Sequence, residues 1–352
     1  MFLQKSSHLF FCFAYAATQA ASAPASSSCV SALQPNFPAP SLAPGYKAQL
    51  IATNLAKPRG LTVDSDGQLL VVQQGVGITS LRIHDQGGDC LEVLHKVDVV
   101  RNANLTHGIA LSGDSKTLYA SSAQAVFSWP YDAAKSNASG IGNDLIAVTN
   151  KSGGDHITRT LLFAKKQKDT LIVSRGSDSN VDFGSLDLTT GHCQIKSFAV
   201  QKDNMSVQNF NTTGKLLGWG LRNSVGIVEH PINGGIYSVD MGMDYATRKG
   251  KDISQNNPGD ELNYHGIIGK ANDLDQGLNH GYPYCHAAWD VDAIPNKGDL
   301  VVGDQFLVGD VNHTFTRSDT SNDAVCARER AAPIITLPPH NGPIVEIHGR
   351  WH

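Results

Sequence analysis

Two arginines and a histidine occupy the same place in three similar stretches of this sequence. Arg59 stands in PRGLTVDSDGQLLVV, His107 in THGIALSGDSKTLYA and Arg159 in TRTLLFAKKQKDTLIV. Guanidinium groups bind anions such as carboxylates, and an imidazole with an ordinary pKa of about 6.5 accepts protons near neutral pH. If the three side chains meet, they predict a site for an anionic ligand beside a general base. The residues alone also allow a structural histidine that bonds a carbonyl, and arginines that form ion pairs.

Further polar groups follow the third copy. Arg175 in LIVSRGSDSNVD either joins the anion site or pairs with Asp178 or Asp182. The segment GWGLRNSVGI places Arg222 and Asn223 before another apolar run. A guanidinium beside a side-chain amide suits planar carboxylate or carbonyl groups.

Oxygen-bearing residues gather in the segment SQNNPGDELNYHG. Asp260, Glu261, Asn263 and the carbonyls of the Pro-Gly turn are ligands that calcium prefers, whereas zinc favours His or Cys. An Asn-Pro-Gly-Asp run is also an ordinary turn. The segment therefore indicates a calcium site only in combination with the arginines.

The spacing of the copies predicts the fold. His107 follows Arg59 by 48 residues and Arg159 follows His107 by 52, close to the roughly 40–50 residues of a β-propeller blade. A weaker fourth copy begins near Val225. Each copy reads as two short antiparallel strands, and the chain has 34 Gly and 15 Pro for its turns. We therefore predict one large all-β domain whose innermost strands converge on a central channel.

Regions outside the repeats divide the chain. Residues 1–23 are typical of a secretory signal peptide, residues 24–45 of a Ser/Ala/Pro-rich surface segment, and residues 46–352 form the predicted propeller domain. From about residue 265 to Arg330 the alternation of apolar residues weakens, which indicates a long loop and a disulfide-closed insertion. Alternation returns only at APIITL and PIVEIHGRW.

The secretory interpretation has consequences for cysteines and surface. Secreted chains use cysteines in disulfides, so we expect Cys29 to pair with Cys90 and Cys285 with Cys326, leaving Cys193, although the sequence does not fix the connectivity. Six N-x-S/T sites agree with secretion: Asn104, Asn137, Asn150, Asn204, Asn211 and Asn312. The net charge of −4 disfavours nucleic acid and anionic membranes as partners.

Several of these strings, in this order, resemble a known family. They are PRGLTVDSDGQLLVV, THGIALS, TRTLLF, VSRGSDSNVD, GWGLRNSVGI, NPGDELNYHG and GLNHGYPYC. Together they are similar to the fungal secreted dehydrogenases of pyranose sugars that depend on pyrroloquinoline quinone (PQQ), within the sorbosone and soluble glucose dehydrogenase group. The resemblance implies a six-bladed propeller that binds PQQ and calcium at the mouth of its channel.

The resemblance also implies roles for single residues. His107 would be the catalytic base, with Arg222 and Asn223 near the quinone carbonyls. The remaining cofactor-binding residues would be Arg59, Arg159, Arg175 and His340. One calcium ion would take backbone oxygens near Gln255, Asn256 and Asn257, and Glu261 would serve a second, structural calcium.

The implied reaction is oxidation of a sugar hydroxyl. His107 would remove the hydroxyl proton while hydride passes to the quinone, and an external acceptor such as a cytochrome would take the electrons. The alternatives are a calcium-dependent lactonase-like hydrolase, which would need carboxylates in the channel, and a non-catalytic glycan-binding propeller.

The C-terminal strings depart from the family pattern. LPPHNGPIVEI and HGRW resemble two family strands, but the residues between them look deleted and the family continues beyond them. We therefore expect an incomplete last blade, a chain of low stability and weak quinone binding.

Overall fold

The computed structural model describes residues 33–46, 48–87, 90–148, 154–200, 206–310 and 322–343. The described residues up to 51, with those of 84–92, make a small unit, and the described residues of 52–83 and from 93 onward make a large one. Residues 33–45, from the predicted surface segment, are exposed and contain no helix or strand. All candidate site residues that are described lie in the large unit.

Each of the four repeated stretches forms an antiparallel hairpin, as predicted. The first pairs β1 with β2, the second β5 with β6, the third β10 with β11 and the fourth β15 with β16. These strands are β1 (Pro58–Val63), β2 (Leu69–Gln73), β5 (Leu105–Leu111), β6 (Thr117–Ser122), β10 (Leu161–Phe163), β11 (Thr170–Arg175), β15 (Ser224–Glu229) and β16 (Gly235–Asp240).

Every hairpin grows into a blade-like sheet through later strands. The sheet orders are β1-β2-β3-β4, β13-β9-β7-β6-β5 with β8 beside β7, β10-β11-β12-β14-β20 and β15-β16-β19-β24. The added strands are β3 (Gly77–Asp85), β4 (Leu91–Arg101), β7 (Ala125–Asp132), β8 (Asn137–Ala138), β9 (Asn143–Ala147), β12 (Gln194–Ala199), β13 (Gln208–Asn209), β14 (Lys215–Trp219), β19 (Asp260–Ile267), β20 (Leu278–Asn279) and β24 (Ile335–Leu337).

The arrangement is an all-β propeller, but six blades is the wrong number for this structure. The described residues contain four sheets of four or more strands. The described residues also contain two smaller sheets, whose strands of two or three residues are too short for full blades. They consist of β17 (Ala246–Arg248), β18 (Lys251–Asp252) and β23 (Gly309–Asp310), and of β21 (Cys285–Ala287) and β22 (Gln305–Leu307).

The insertion toward Arg330 is held by a disulfide and a short helix. Cys285 and Cys326 are bonded, as predicted, and Cys326 lies in α1 (Asp323–Glu329). Cys193 is free and buried, which agrees with its being left over. Short 3₁₀ helices occur at Ala133–Lys135, Phe183–Leu186, Leu188–Thr190 and Val291–Ala293.

Apolar side chains of neighbouring sheets pack together to form the core. One cluster joins Leu118 and Trp129 of the second sheet to Leu70 of the first, and another joins Ile172 of the third to Ile236 of the fourth. Burial of such surfaces contributes about 25 cal/mol per Å² of apolar area. Packing between the sheets therefore fixes the relative positions of β1, β5, β10 and β15, the first strands of the four hairpins.

Glycines allow the first strands to approach one another. A Cβ on Gly60 would lie 2.3 Å from the carbonyl oxygen of His107, and one on Gly108 would lie 2.1 Å from that of Arg159. Both distances are far below van der Waals contact, so a side chain at either position would force β1, β5 and the start of β10 apart. The glycines that follow Arg59 and His107 thus keep the site compact.

Several predictions stay outside what the structure tests. The signal peptide, Cys29, three of the N-x-S/T asparagines (Asn150, Asn204 and Asn312) and the final apolar string lie outside the described residues. Cys90 is disulfide-bonded, but its pairing with Cys29 stays a prediction. Among the described residues, no helix is long and apolar enough to cross a membrane.

Candidate functional site

A cavity of about 160 Å³ lies between β1, β5, β10 and β15, which are the first strands of the four hairpins. Its wall consists of residues 59–61, 107–109, 160–161 and 225–227, one stretch from each sheet. Arg59 and His107 carry the ionisable side chains of this wall, and no carboxylate belongs to it within the described residues. The repeat position identified from sequence therefore does bring an arginine and a histidine to one cavity.

His107 is buried and neutral. Burial and the charge of Arg59 lower its pKa to about 4, against a smaller opposing effect of the Val225 carbonyl. Nε2 lies 3.3 Å from the carbonyl oxygen of Val225, and because a carbonyl can only accept, Nε2 carries the proton. Nδ1 then carries a lone pair, is buried and has no hydrogen-bond partner.

Arg59 differs from the other candidate arginines in its exposure. It lines the cavity, is exposed to solvent, and makes no side-chain hydrogen bond or ion pair within the described part of the chain. A guanidinium without protein partners beside a cavity is suited to a carboxylate ligand.

Arg222 is held by the protein around it. Its Nη1 donates to the carbonyl of Gly242 at 2.8 Å, and its Nη2 donates to Asn180 Oδ1 and to Asp244 Oδ2, each at 2.9 Å. Nε lies 3.4 Å from the carbonyl of Asn180. Only one N–H, on Nη1, is left for a ligand, so Arg222 is oriented rather than mobile.

The neighbours of Arg222 include His340. Asp244 Oδ1 lies 3.6 Å from His340 Nδ1, and Nε2 of the same ring donates to the carbonyl of Ser254 at 2.6 Å. Two candidates from distant parts of the sequence, Arg222 and His340, thus share Asp244. Asn223 lies beside them, with its backbone N–H donating to Asp240 and its Oδ1 accepting from Thr158.

Arg159 and Arg175 do not line the cavity. Arg159 is fully buried and donates to the carbonyls of His156 and Thr158. Arg175 donates to the carbonyl of Thr190 and to Asn211 Oδ1 inside the third sheet. Burial lowers the pKa of both guanidiniums, and the nearby Asp178 opposes this shift in each. The side chain of Arg159 therefore does not line this cavity with Arg59 and His107, and its role in binding the cofactor stays a prediction.

The segment predicted to bind calcium lies close to Arg222. Gly242, which accepts from Arg222, packs so tightly on the carbonyls of Pro258 and Gly259 that a Cβ there would lie 3.0 and 3.2 Å from them. Asn257 is fully buried, and both polar atoms of its amide are used by the backbone of Trp289 and Asp290. Its side chain is therefore engaged by the protein, and the predicted calcium contact through its backbone oxygen stays a prediction.

Gln255 and Asn256 retain their carbonyl oxygens. Gln255 is exposed, and no hydrogen bond to either carbonyl occurs within the described residues. Backbone carbonyls are ordinary calcium ligands, so this part of the prediction fits the structure, while its ligand set remains a prediction.

The buried carboxyl of Glu261 is surrounded by hydrogen-bond donors of the protein. Its carboxyl accepts from the backbone of Ala287 and the side chains of Gln305 and Asn263. Burial raises the pKa of Glu261 to about 8, and the charge of Asp240 adds to the shift. A cation would oppose this shift, but the three donors already bound to the carboxyl compete with it.

A second cluster with metal-binding side chains lies beside the buried arginines. Asp178, Asp182 and His192 present ligand atoms within 4.8 Å of one another. His192 Nδ1 and Asp182 Oδ2 are 2.7 Å apart and already hydrogen-bonded, and Arg159 and Arg175 act on Asp178 electrostatically. Positive charge beside the cluster disfavours a cation there.

Sequence reasoning missed two residues that organise the site. Asn180 and Asp244 together take both Nη2 bonds of Arg222. They lie 42 and 22 positions from it, in loops that carry no periodic signal. An asparagine in a turn has many ordinary uses, so only the fold identifies this one.

Comparisons with known proteins give the family of this chain. The chain is 40% identical over 313 residues to a pyrroloquinoline quinone-dependent sugar dehydrogenase of Hypocrea jecorina (strain QM6a), covering 89% of this chain and 71% of that protein. It is 30% identical to a pyrroloquinoline quinone-dependent pyranose dehydrogenase of Coprinopsis cinerea, covering 92% of this chain but only 44% of that protein.

Solved structures show the same architecture. The calcium structure of the Trichoderma reesei family AA12 enzyme matches with a TM-score of 0.81 and 39% identity, covering 89% of this chain and 75% of that one. The holo form of the PQQ domain of Coprinopsis cinerea pyranose dehydrogenase matches with a TM-score of 0.78 and 30% identity, covering 89% and 72%. The TrAA12-like family model matches residues 40–348, and this chain therefore belongs to the TrAA12-like family.

Proposed function

We propose that this protein is a secreted, PQQ- and calcium-dependent dehydrogenase that oxidises a hydroxyl of a pyranose sugar and passes the electrons to an external acceptor such as a cytochrome. The observation that carries the proposal is the state of His107. A buried, neutral imidazole lines the cavity, and its Nδ1 lone pair has no partner. The names of the relatives support PQQ and a sugar as its ligands.

The residues of the site fit the quinone. PQQ carries three carboxylates, and the exposed guanidinium of Arg59 lacks a protein partner within the described residues. When bound, the quinone supplies the redox chemistry by accepting a hydride from the sugar carbon. Arg222, fixed by Asn180 and Asp244, would offer its one remaining N–H to an oxygen that gains negative charge.

His107 performs the proton chemistry. Its Nε2–H donates to the Val225 carbonyl, so the ring keeps one orientation and Nδ1 is the nitrogen that would accept the proton of the sugar hydroxyl. The cavity around it is lined partly by Leu61, Ile109 and Ile227. Apolar walls exclude water, which keeps the imidazole neutral before the sugar arrives.

The calcium and the electron acceptor are parts of the same proposal. The carbonyls of Gln255 and Asn256 would hold the ion next to the Arg222 cluster, where it would polarise an oxygen of the cofactor. The absence of carboxylates from the described cavity wall disfavours the hydrolase alternative, since that chemistry needs a metal-bound water held by acidic ligands.

Dye reduction tests the function. The purified protein with PQQ, calcium and a panel of aldoses should reduce an electron-accepting dye, and omission of PQQ should abolish the reaction. Absence of dye reduction with every sugar would contradict the proposal. The expectation that this chain binds quinone weakly stays a prediction, and the rise of the melting temperature on adding PQQ and calcium measures it.

A further inference from the structure

A second cavity lies at the opposite end of β1, β5, β10 and β15. Its volume is about 410 Å³, against about 160 Å³ for the cavity that contains His107. Its wall includes the last residue of each of these strands: Val63, Leu111, Phe163 and Glu229. We call it the far cavity. Its wall contains none of the candidate residues for the quinone, the calcium or the proton transfer.

An apolar ring lies between the far cavity and the polar layer of Arg59 and His107. Four residues belong to the walls of both cavities: Leu61, Ile109, Leu161 and Ile227. Each stands two positions before the last residue of its strand, and the pairing between these positions is regular. Because side chains alternate along a strand, the ring residue and the last residue point to the same side. The far cavity is therefore a separate chamber built by the same repeat.

The wall of the far cavity is mainly apolar and reaches the solvent. Leu111 and Phe163 are half-buried, and Val63 is 46% exposed. A cavity of this size with an apolar wall and a few polar groups is typical of sites for small molecules. A ligand that covers these side chains removes apolar surface from water, which favours binding.

An aromatic ring forms part of this wall. The ring of Phe163 stacks on that of Tyr119, with the centroids 5.8 Å apart and an angle of 20° between the planes. Tyr119 is buried, so the pair is fixed in place. Aromatic rings attract one another in offset or edge-on arrangements. A fixed Phe163 therefore favours a flat aromatic ligand over an aliphatic chain.

The charged groups of the wall leave one cation available. Within the described chain they are Glu229 and Lys165. The carboxylate of Glu229 accepts from the backbone N–H of Lys165 at 2.5 Å and from that of Lys166 at 3.0 Å. The Lys165 side chain is exposed, and its ammonium makes no hydrogen bond or ion pair within the described residues. An unpaired ammonium beside a carboxylate that already has two donors favours an anionic ligand.

We propose that the far cavity binds an aromatic carboxylate, whose rings pack against Leu111 and Phe163 and whose carboxylate pairs with the ammonium of Lys165. The site is distinct from the one that the proposed dehydrogenase function uses, and it does not depend on that function. The apolar ring of Leu61, Ile109, Leu161 and Ile227 separates the two ligands, so both can be bound at once.

Calorimetric titration of the full chain with 2-naphthoate tests the site. Binding should be saturable, with one site beyond the apolar ring, and its Kd should be the same with and without PQQ and calcium. Val63→Trp should raise this Kd about tenfold or more, because the indole occupies the cavity from an exposed position. Val76→Trp is the matched control, since Val76 is 42% exposed and does not line the cavity. Absence of saturable binding to the wild type would overturn the proposal.

The role of the charge has its own test. Lys165→Ala should raise the Kd for 2-naphthoate about two- to fivefold, the range of an exposed ion pair. Lys168→Ala, an exposed lysine of the same turn outside the wall, should leave it unchanged. The neutral 2-naphthamide should bind the wild type about as weakly as 2-naphthoate binds the Lys165 variant, a comparison that needs no altered protein.

A third variant distinguishes the two cavities. If Arg59→Ala weakens the binding of 2-naphthoate while Val63→Trp leaves it unchanged, the acid occupies the His107 cavity and the proposal is wrong. Equal affinities of the acid and the amide for the wild type would also overturn it, because Lys165 would then bind no carboxylate. A failure of dye reduction with every sugar would contradict the dehydrogenase function and leave these binding results in force.

Discussion

The cavity rim and the interior of the third sheet contain the same type of residue in opposite situations. Arg59 is exposed and without protein partners in the described chain, whereas Arg159, at the equivalent place of its repeat, is fully buried and donates to two backbone carbonyls. Arg59 is suited to bind a ligand, whereas Arg159 stabilises the fold through its bonds to the backbone. Equivalent positions in a repeat therefore share a backbone environment without sharing a role.

The difference arises from what surrounds each side chain. Arg159 faces Arg175, Cys193 and Asp178 in the body of the sheet, where burial opposes its charge. Arg59 faces His107, whose pKa it lowers. A cation placed beside a neutral base keeps that base unprotonated, so the rim arrangement has a chemical consequence that the interior one lacks.

The largest expected effect concerns His107. His107→Ala should lower kcat for sugar oxidation by about 10²–10⁴-fold, because general base catalysis contributes that much. Dye reduction measures the loss, and PQQ binding followed by absorbance shows whether the cofactor still binds. A variant that keeps wild-type kcat would show that His107 is not the base. The functional contrast between the cavity rim and the interior of the third sheet would then no longer hold.

The interior arginine should affect stability more than catalysis. Arg159→Ala removes the guanidinium donors to the partly buried carbonyls of His156 and Thr158. We expect the free energy of unfolding to fall by about 2–4 kcal/mol. Urea denaturation measures this change, with Arg82→Ala on an exposed position of β3 as the matched control. An Arg159 variant as stable as the control would mean that the interior arginine is not structural.

The sequence predicted the hairpins and the pair at the cavity because these depend on local periodicity. Arg59 and His107 precede apolar runs of similar length, and the same strand geometry carries both to the channel. The sequence did not predict where Arg159 points, since its orientation depends on Arg175 of the paired strand and on loop carbonyls. Asp244 was missed for a related reason: its bond to Arg222 joins two loops with no shared pattern.

The sequence also did not predict the number of blades correctly. The hairpins with strong alternation became sheets of four or more strands, as with β5 and β6. Beyond Ile267 the strands have two or three residues and pair through loop geometry, as between Cys285 and Leu307. Such contacts rest on the disulfide to Cys326 and on side-chain bonds such as Arg248 to Asp323, which no periodicity encodes.

Acid should weaken the fold through the rim histidine. The pKa of His107 is about 4 in the folded protein and about 6.5 in an unfolded chain. Between these values the unfolded chain takes up a proton that the folded one excludes, so the free energy of unfolding falls as pH drops from 6.5 to 4. The contribution of His107 is on the order of 2–3 kcal/mol.

Comparison with a variant isolates this contribution. His156 is partly buried, His280 and His286 are buried, and all three have lowered pKa values, so the whole protein should lose more stability than His107 alone explains. His107→Gln should flatten the pH dependence of urea denaturation between pH 7 and 4.5. Identical slopes for wild type and variant would show that His107 is charged or exposed in the folded protein.

The smallest expected effect on stability is that of Arg59. Because its side chain is exposed and has no protein partner within the described residues, Arg59→Ala should change the free energy of unfolding by less than about 0.5 kcal/mol. It should nevertheless raise the Kd for PQQ about tenfold or more, since a carboxylate of the quinone loses a charged donor. Titration followed by absorbance measures the affinity, and urea denaturation of the unloaded protein measures the stability. Arg59→Lys should recover part of the affinity through its charge but not the paired geometry of the guanidinium. A variant that unfolds as easily as Arg159→Ala while binding PQQ normally would reverse the assignment of the two arginines, because Arg59 would then serve the fold.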